Sequence, residues 1–409
     1  MFNFIKNKKV EIITDEKEIN EVVFRGVEKN YPNDEFLIKK LKEGKQLKIY
    51  LGIDPTGPTL HMGHMVVLKK LSQLQKLGHK IILLIGDFTA TIGDPDKASS
   101  REVLTREKVM ENQKLYKDQA SILLDFEGEN PAEFKYNSEW LGKMNFEDVL
   151  NLASKVTVQQ ILERDMLKKR FNEGKPIYVH EFMYPLMVAQ DSLVMDVDGE
   201  VGGNDQTFNM LVGKDLQKKV QGKEKFVIPM KLLVDNSGAK MGKTTGNMLS
   251  FADSPDEKFG KIMSWSDGML ELGFELLTDE DLKEIKERVN SDENPKDIKR
   301  DLGLKIVSIF NGENKAQEAW KNWETQFSKK AIPDNIEEFD FPIGIKIIDI
   351  LKGTSLVKSN GEARRKIDEG AVKFITENSE EKITDYFQEI SEGEKILKLG
   401  KKMVKINLK

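Results

Sequence analysis

The sequence predicts an α/β protein in which an open parallel sheet is followed by a helical segment and a small α+β module. Two aliphatic runs, at 47–53 and 81–86, are typical of buried strands. Between them, apolar residues recur at three-residue spacing from Met62 to Leu77, which indicates a helix with one apolar stripe. After about residue 332 the pattern changes to short strand-like pieces with two helical ones, which marks off a compact module.

The first strand, helix and second strand form a β-α-β unit, whose crossover is right-handed as a rule. Gly78 is a plausible C-terminal stop for the helix. The later patterns are helical at 104–165, 182–196, 205–219 and 253–327, and strand-like at 225–229 and 232–234. We therefore predict three domains. A parallel-sheet domain covers 1–247 with a helical insertion at about 104–180, a helical domain covers 248–331, and a linker with the α+β module covers 332–409.

The composition describes a globular protein rather than a membrane or secreted one. Of the 409 residues, 39% are hydrophobic and 33% charged, and no apolar run approaches the roughly 18 residues of a membrane span. The basic start lacks the apolar stretch of a signal peptide, so we expect a cytoplasmic protein without a membrane partner. The absence of cysteine excludes disulfides and thiolate metal sites, and we predict no metal site.

The net charge of −5 hides an uneven distribution. Residues 341–409 contain 14 Lys+Arg against 11 Asp+Glu, a net charge of +3, which leaves −8 for residues 1–340. An acidic body thus has a mildly basic C-terminal module, and basic surfaces are what nucleic-acid phosphates attract.

Two histidines occur where the first predicted strand gives way to a helix. A turn with Pro and Gly begins at Asp54, and His61, Gly63 and His64 follow at the helix start. Helix N-termini offer unpaired N–H groups and a positive dipole end to anions, and open α/β sheets bind ligands at the carboxyl ends of their strands. Imidazoles three residues apart share a helix face, so both could donate to phosphates, although they could also be ordinary helix-start residues.

A polar, glycine-rich loop follows the last predicted strand. It runs from Ser237 to Asn247 and contains Lys240, Lys243 and Thr244. Lysines on a mobile loop could close over a triphosphate and neutralise charge that builds on the leaving pyrophosphate. Loops of this composition are also common as solvated surface, and the pattern does not match a P-loop.

Together these two motifs resemble the paired HIGH and KMSKS signatures of class I aminoacyl-tRNA synthetases. Tyr184 with Asp191, followed by the run from Gly202 to Gln206, is similar to the motifs of the tyrosyl enzymes in the same order. The segment 359–365 resembles the S4 RNA-binding module, so the similarity covers nearly the whole chain. It implies a Rossmann-like catalytic domain with a helical insertion, a helical domain, a small S4-like domain, and a homodimer.

The resemblance also implies roles for individual residues. Tyr50 and Asp191 would hydrogen-bond the hydroxyl of a bound tyrosine, while Asp94, Tyr184 and Gln206 would hold its head group. The implied ATP-binding residues are Gly52, Asp54, Gly63, Gly203, Asp205, Met241 and Thr244. The implied catalytic residues, which would meet the triphosphate, are Thr56, His61, His64, Lys240 and Lys243. The implied RNA-binding residues are Arg364 and Arg365.

Some positions depart from the family pattern. Val188 occupies the place of a usual glutamine, which puts one polar contact to the substrate head group in doubt. Gly242 and Thr244 replace commoner serines, and Leu51 lies where some members have a cysteine. Thr244 retains a hydroxyl, and Gly242 loosens the loop, so neither change removes the reaction.

The implied reaction joins L-tyrosine and ATP to tyrosyl-adenylate, then transfers tyrosine to the terminal adenosine of tRNA(Tyr). Mg²⁺ would accompany the phosphates, and no DNA partner is expected. Three alternatives stay open: a nucleotidylyltransferase, a non-enzymatic RNA-binding relative, and a tryptophanyl enzyme. The basic tail and the Gly202–Gln206 run argue against the first, the intact histidines and lysines against the second, and Tyr50 with Asp191 against the third.

Overall fold

The computed structural model describes residues 10–94, 104–234, 248–327, 336–375, 380–390, 393–400 and 402–409. The chain forms two compact units, Met1–Glu318 and Ala319–Lys409. The predicted domain boundaries at 247 and 331 are not tested by this division and stay predictions. In the described ranges, no helix is long and apolar enough to cross a membrane.

The core of the first unit is a five-stranded parallel sheet. Its strands are β1 (Lys48–Ile53), β2 (Lys80–Ile85), β3 (Glu133–Tyr136), β4 (Gly199–Gly203) and β5 (Phe226–Met230). The order across the sheet is β3-β2-β1-β4-β5, and each pairing is parallel. The chain runs outward from β1 to β3 and then returns to β4 on the other side of β1. The carboxyl ends of β1 and β4 therefore flank the switch point at which open α/β sheets bind ligands.

Helices connect and cover these strands, as an α/β fold requires. Those within the first unit are α1 (Glu16–Phe24), α2 (Asp34–Lys42), α3 (Met62–Lys76), α4 (Thr89–Ile92), α5 (Arg106–Asn112), α6 (Tyr116–Ala120), α7 (Ser138–Leu141), α8 (Phe146–Ala153), α9 (Val158–Leu162), α10 (Asp165–Asn172), α11 (Val179–Met195), α12 (Thr207–Gln221), α13 (Pro255–Met263), α14 (Leu270–Leu277), α15 (Leu282–Val289) and α16 (Pro295–Asn311). The helix α17 (Glu313–Phe327) spans the boundary between the units.

The predicted β-α-β unit is present. The helix α3 begins after an N-cap at His61, and its apolar stripe, which includes Met65, Leu68, Leu71 and Leu74, is fully buried. Burying side chains of this size on one helix face contributes about 1.5–3 kcal/mol each. This stripe fixes the orientation of α3 against the sheet and so positions the first turn of α3 next to the end of β1.

The sheet contains two strands that the sequence patterns do not predict. The strand β3 lies inside the segment predicted as helical. It gives no buried-strand pattern in the sequence, because its four residues are all half-buried. The strand β4 is rich in glycine, which is uncommon in strands. Gly199 is required there, because a Cβ at this position would lie 2.1 Å from the ring of Phe226 on the neighbouring strand. In contrast, the predicted strand at 232–234 is not part of the described sheet.

Buried lysines of α3 hold the ends of other helices. Lys70 Nζ donates to the carbonyl oxygens of Glu21 and Val22 in α1, at 3.2 and 2.7 Å. Lys69 Nζ donates to the carbonyl of Thr278, just after α14, at 2.6 Å. Cations at helix C-termini satisfy the last carbonyls and complement the helix dipole.

The second unit has its own mixed sheet and core. Its strands are β6 (Glu338–Phe341), β7 (Val372–Ile375), β8 (Glu380–Lys382), β9 (Gly393–Leu399) and β10 (Lys402–Leu408), in the order β6-β10-β9-β7-β8. Among the described strand pairs of this second sheet, β10–β6 is parallel and the others are antiparallel. Two helices, α18 (Ile347–Gly353) and α19 (Asn360–Asp368), bury their apolar residues in the same cluster as the strands. This arrangement agrees with the predicted small α+β module.

Candidate active site

A cavity of about 1050 Å³ opens at the carboxyl ends of β1 and β4. Every candidate residue that the structure describes in the first unit lines it, namely Tyr50, Gly52, Asp54, Thr56, His61, Gly63, His64, Asp94, Tyr184, Asp191, Gly203, Asp205 and Gln206. The candidates Lys240, Met241, Lys243 and Thr244 lie outside the described residues. The convergence of residues from distant parts of the chain supports a single ligand site at the switch point.

Asp54, which follows β1, is hydrogen-bonded to Tyr184, another candidate residue. The carboxylate of Asp54 accepts from Thr89 Oγ1 at 2.7 Å and from the Tyr184 hydroxyl at 2.8 Å. Burial raises the pKa of Tyr184 well above its ordinary value, and the charge of Asp54 raises it further, so this phenol stays a donor. Gly86 makes the arrangement possible, because a Cβ there would lie 2.0 Å from Asp54 Oδ1.

The two histidines form a capping arrangement at the start of α3. His61 Nδ1 accepts from the backbone N–H of Gly63, and His64 Nδ1 accepts from the backbone N–H of His61, both at 3.1 Å. The ring centroids are 3.9 Å apart. Since an Nδ1 that accepts carries no proton, each neutral ring has its proton on Nε2, which is the donor that a ligand in the cavity would meet. A Cβ on Gly63 would lie 2.9 Å from His61 Cε1, so this close stacking needs the glycine.

A buried polar cluster surrounds Asp94. Its Oδ1 accepts from Arg164 Nη2 at 2.6 Å, and its Oδ2 accepts from Gln206 Nε2 at 2.9 Å. Gln206 is oriented in turn by Asn209 Nδ2, which donates to its Oε1 at 2.8 Å. Sequence reasoning identified Asp94 and Gln206 but missed Arg164 and Asn209. Asn209 follows Gln206 by three residues at the start of α12, which is a detectable signal, whereas the charged surroundings of Arg164 in the sequence suggest an exposed side chain.

Asp191 is held by two donors that follow β3. Its Oδ1 accepts from Trp140 Nε1 at 2.7 Å, and its Oδ2 accepts from Asn137 Nδ2 at 3.3 Å. Burial raises the pKa of Asp191 well above the ordinary value, although both hydrogen bonds favour the charged form. Neither donor is predicted from the sequence, because the strand that places them is not predicted either. Tyr50, the other candidate for the same ligand group, is also buried, and its hydroxyl lies 3.0 Å from Ser192 Oγ.

Two further candidates, Thr56 and Gly203, are held by local backbone geometry. Thr56 follows a tight turn in which its N–H donates to the Asp54 carbonyl at 2.8 Å. Gly203 ends β4, and a Cβ there would lie 2.5 Å from Asp205 Oδ1, so the glycine allows the carboxylate to fold back over the strand end. Val188 also lines the cavity and offers no hydrogen bond. Gln206 and Asn209, whose side-chain amides are polar, line the same cavity.

The basic candidates Arg364 and Arg365 lie on α19 in the second unit, and both are exposed. The guanidinium of Arg364 lies 5.9 Å from the ring centre of Tyr386 and 5.7 Å from that of Phe387. Phe387 is exposed and Tyr386 is half-buried. Arginine beside accessible aromatic rings is a combination with which proteins stack the bases of single-stranded nucleic acids.

Comparisons with known proteins agree with this geometry. Residues 42–328 match the family model described as tRNA synthetases class I (W and Y). The chain is 43% identical over 393 residues to tyrosine–tRNA ligase 2 of Vibrio parahaemolyticus, covering 94% of this chain and 97% of that one. It is 42% identical over 398 residues to the tyrosine–tRNA ligase of Bordetella avium, covering 94% and 95%.

Solved structures share the fold. The tyrosyl-tRNA synthetase of Archaeoglobus fulgidus, complexed with L-tyrosine, superimposes with a TM-score of 0.60 at 22% identity, over 74% of this chain and 98% of that one. A truncated mitochondrial tyrosyl-tRNA synthetase of Aspergillus nidulans gives a TM-score of 0.63 at 21% identity, over 76% and 93%.

Proposed function

The chain belongs to the class I tRNA synthetases for tryptophan and tyrosine, and from this membership we propose that it is a tyrosine–tRNA ligase. It activates L-tyrosine with ATP to tyrosyl-adenylate and pyrophosphate, then transfers tyrosine to the 3′-terminal adenosine of tRNA(Tyr). Relatives named for this activity align along almost their whole length. The same function makes the cytoplasm, where tRNA is charged for protein synthesis, the expected location.

One observation carries the choice of tyrosine. The cavity is lined by a buried phenol, Tyr50, and a buried carboxylate, Asp191. A substrate phenol needs both a donor and an acceptor, and these two groups supply one of each. Phenylalanine would leave them unpaired in a buried site, and tyrosyl-tRNA synthetases are themselves the known example of this effect, a discrimination of about 10⁵. Tryptophan, the other substrate of the family, has an indole N–H donor and no acceptor.

The head group of tyrosine is assigned to the polar cluster between Asp94, Tyr184 and Gln206. The Asp94 carboxylate would accept from the substrate ammonium, and Gln206 and the Tyr184 hydroxyl would fix its direction. The substrate carboxylate is then directed toward the nucleotide end, where Gly52, Asp54, Gly203 and Asp205 would line the adenylate and the ribose. Support comes from the cavity, which these residues share.

The chemical step needs no protein nucleophile. The tyrosine carboxylate attacks the α-phosphorus of ATP while pyrophosphate leaves, so the enzyme positions the reactants and stabilises charge on the phosphates. We assign this stabilisation to the Nε2–H groups of His61 and His64, to Thr56, and to the N-terminus of α3. Lys240, Lys243, Met241 and Thr244 belong to the same proposal by resemblance.

Mg²⁺ would enter with the phosphates of ATP. Within the described residues, no group of three or more histidine or acidic side chains is arranged to hold a metal ion. Mg²⁺ characteristically keeps phosphate oxygens and waters as ligands, which fits a site without a protein cage. We therefore assign the ion to the phosphates of the nucleotide.

The second unit is proposed to bind tRNA through Arg364 and Arg365. Replacing both by alanine should raise the KM for tRNA in tyrosylation by about tenfold at low salt, since each basic contact to a phosphate adds to the salt-dependent affinity. Tyrosine-dependent ATP–pyrophosphate exchange should stay unchanged, because that step needs no tRNA. An equal loss in both assays would contradict the assignment. Lys352→Ala, on the neighbouring helix α18, is the matched control for charge.

A homodimer is also proposed. In the described part of the insertion, seven large apolar or aromatic side chains are more than half exposed, and exposed apolar surface of this kind is typical of subunit contacts. They are Leu115, Phe146, Leu150, Val158, Phe171, Tyr178 and Val179. Light scattering of the purified protein should give twice the chain mass of 46.7 kDa, and Phe146→Asp should reduce the dimer fraction. A monomer at micromolar concentration would contradict this proposal without affecting the assigned reaction.

A further inference from the structure

A buried ion pair between Lys225 and Glu200 lies next to Tyr50 and takes no part in the mechanism described above. Lys225 Nζ is 2.5 Å from Glu200 Oε2 and 2.8 Å from Ser192 Oγ. Lys225 and Ser192 are fully buried, and Glu200 is 4% exposed. Ser192 Oγ in turn lies 3.0 Å from the Tyr50 hydroxyl. The four side chains therefore form one connected polar chain, in which Tyr50 and Glu200 line the cavity and Lys225 and Ser192 do not.

The protons in this chain can be assigned by counting donors and acceptors. Lys225 carries only N–H donors toward Ser192, so Ser192 Oγ must accept from it. The hydroxyl proton of Ser192 then needs an acceptor of its own. Among the described residues, the Tyr50 oxygen is the one other polar side-chain atom within hydrogen-bond distance of Ser192 Oγ. Since a buried hydroxyl left unpaired is costly, Ser192 donates to Tyr50, and the Tyr50 proton is directed elsewhere.

Two groups could receive the Tyr50 proton. One is a ligand oxygen in the cavity, which Tyr50 lines. The other is the carboxylate of Glu200, whose charge and hydrogen bonding help to raise the pKa of Tyr50, after burial itself. Lys225 bonds this carboxylate directly and neutralises it, which makes Glu200 a weaker competitor for the proton. The lysine therefore favours the ligand as acceptor in two ways, through Ser192 and through Glu200.

We propose that Lys225 and Ser192 are positioning residues that fix the direction of the Tyr50 hydrogen bond, so that Tyr50 donates to the phenol oxygen of the substrate. The substrate phenol then has to donate its own proton, and the Asp191 carboxylate is its acceptor. Because Tyr50 is then fixed as a donor and Asp191 as an acceptor, the pair selects a ligand that has a hydroxyl group. Phenylalanine would leave both groups without a hydrogen-bond partner. The inference rests on the proposed function and deepens it, since it extends the determinants of specificity to residues that do not touch the substrate.

A purely structural ion pair predicts a different outcome. If Lys225 and Glu200 served only to stabilise the fold, their loss would lower the activation of tyrosine and of phenylalanine alike. If they orient Tyr50, the loss is confined to tyrosine. The ratio of kcat/KM for tyrosine over phenylalanine therefore separates the two accounts, and it is insensitive to the fraction of folded enzyme.

The test is ATP–pyrophosphate exchange with each amino acid, using the full-length wild type, Ser192→Ala and Lys225→Met. Ser192→Ala should lower the tyrosine-over-phenylalanine ratio about tenfold, which corresponds to about 1.4 kcal/mol. The change should appear mainly in the KM for tyrosine. Lys225→Met should lower this ratio further, because Tyr50 then donates its hydrogen bond to the unpaired Glu200 carboxylate. Glu200→Gln in the Lys225→Met background should restore part of the lost ratio. Lys223→Met removes two partly exposed ion pairs, with Asp196 and Asp198, at a position two residues away, and should behave as wild type.

A double variant tests whether Ser192 acts through Tyr50. In a Tyr50→Phe background, Ser192→Ala should cause no further change in the ratio, because the group that it orients is gone. Folded Ser192→Ala and Lys225→Met proteins with the wild-type ratio would overturn the inference, as would an undiminished Ser192→Ala effect in the Tyr50→Phe background. If Lys225→Met does not fold, the inference is tested by the effect of Ser192→Ala on the ratio in the wild-type background and in the Tyr50→Phe background. Failure of the proposed function is a separate result, namely a wild type without tyrosine-dependent exchange.

Discussion

Arg164 Nη2 lies 2.6 Å from Asp94 Oδ1, and the two side chains are only 4% and 5% exposed. This ion pair fixes one oxygen of the carboxylate that we assign to the substrate ammonium, while Gln206 fixes the other. Arg164 lies 70 residues further along the chain, in the insertion, where it is the N-cap residue of α10. The helical insertion thus supplies a residue that holds the proposed amino-acid site.

Arg164→Met should therefore weaken tyrosine binding as well as the fold. Removing one partner of a buried pair costs about 3–5 kcal/mol, because the other charge stays buried. We expect the unfolding free energy to fall by this order and the KM for tyrosine to rise about tenfold. Arg288→Met, which breaks a partly exposed ion pair outside the cavity, should leave that KM unchanged. A wild-type KM for tyrosine in Arg164→Met would show that Arg164 has no part in holding Asp94.

The histidine pair predicts a loss confined to the chemical step. His61→Ala and His64→Ala each remove a donor to charge that develops on the phosphates, and such donors are worth about 10²-fold or more in kcat. The KM for tyrosine should change less than threefold, since neither imidazole belongs to the tyrosine end of the cavity. The measurement is the kcat of pyrophosphate exchange at saturating tyrosine.

A matched control separates this effect from lost helix capping. His61 and His64 also cap α3, so each alanine variant should lose about 1 kcal/mol of stability. Ser254 and Glu257 form the same kind of capping box on α13. Ser254→Ala should lower the unfolding midpoint in a similar way and keep the wild-type kcat. If it lowered kcat as much as His64→Ala does, capping rather than phosphate binding would explain the histidines.

Gly86 is predicted to be intolerant of any side chain. A Cβ there would lie 2.0 Å from Asp54 Oδ1 and 2.4 Å from Thr89 Oγ1, so Gly86→Ala must displace the carboxylate that Tyr184 contacts. Overpacking of this kind costs about 1–3 kcal/mol, and the KM values for tyrosine and ATP should both rise. Gly361→Ala, whose new Cβ would be 3.9 Å from its nearest neighbour, should change neither quantity. Unchanged kinetics in Gly86→Ala would mean that the position of Asp54 is not critical.

The stability of the fold should depend on pH through Lys70. Burial, with a smaller contribution from Lys69, lowers the pKa of Lys70 from 10.5 to about 7 in the folded protein. Between these values the unfolded chain binds more protons than the folded one, so the unfolding free energy rises with pH. From pH 7 to pH 9 the gain should be about 2 kcal/mol, and below pH 7 this contribution should level off.

Urea denaturation at pH 7 and pH 9 measures this gain. Lys70→Met should lack it, so the stability of the wild type relative to Lys70→Met should improve with pH. Lys76→Met, at an exposed position on the same helix, should show the pH dependence of the wild type. Equal pH slopes for the wild type and Lys70→Met would refute the assigned pKa.

The sequence predicted those parts of the fold that depend on local patterns. The apolar stripe of α3 and the strands β1 and β2 were predicted because their burial gives clear patterns of apolar residues. His61 and His64 were then predicted as candidate site residues because they occur at the junction of β1 and α3. The candidates from later motifs, such as Asp191 and Gln206, line the same cavity. Their roles toward substrate stay predictions, as do those of Lys240 and Lys243, which lie outside the described residues.

The unpredicted parts depend on contacts between distant residues. Asn137 and Trp140 bond Asp191 across 54 and 51 residues. Both follow β3, a strand too short and too little buried to give a pattern. Arg164 lies in a run of charged residues that is typical of exposed helices, and only the Asp94 carboxylate explains its burial. Lys225 is similar, since nothing near it in the sequence indicates that Glu200 and Ser192 will enclose it.

The most direct test of the assigned function is ATP–pyrophosphate exchange by the wild-type protein with tyrosine, phenylalanine, tryptophan or no amino acid. Exchange with tyrosine alone is the predicted result, because Tyr50 and Asp191 together require a ligand hydroxyl. Exchange with phenylalanine or tryptophan at a comparable kcat/KM would contradict the role of that pair. No exchange with any amino acid, from folded protein supplied with Mg²⁺ and ATP, would contradict the activation reaction itself.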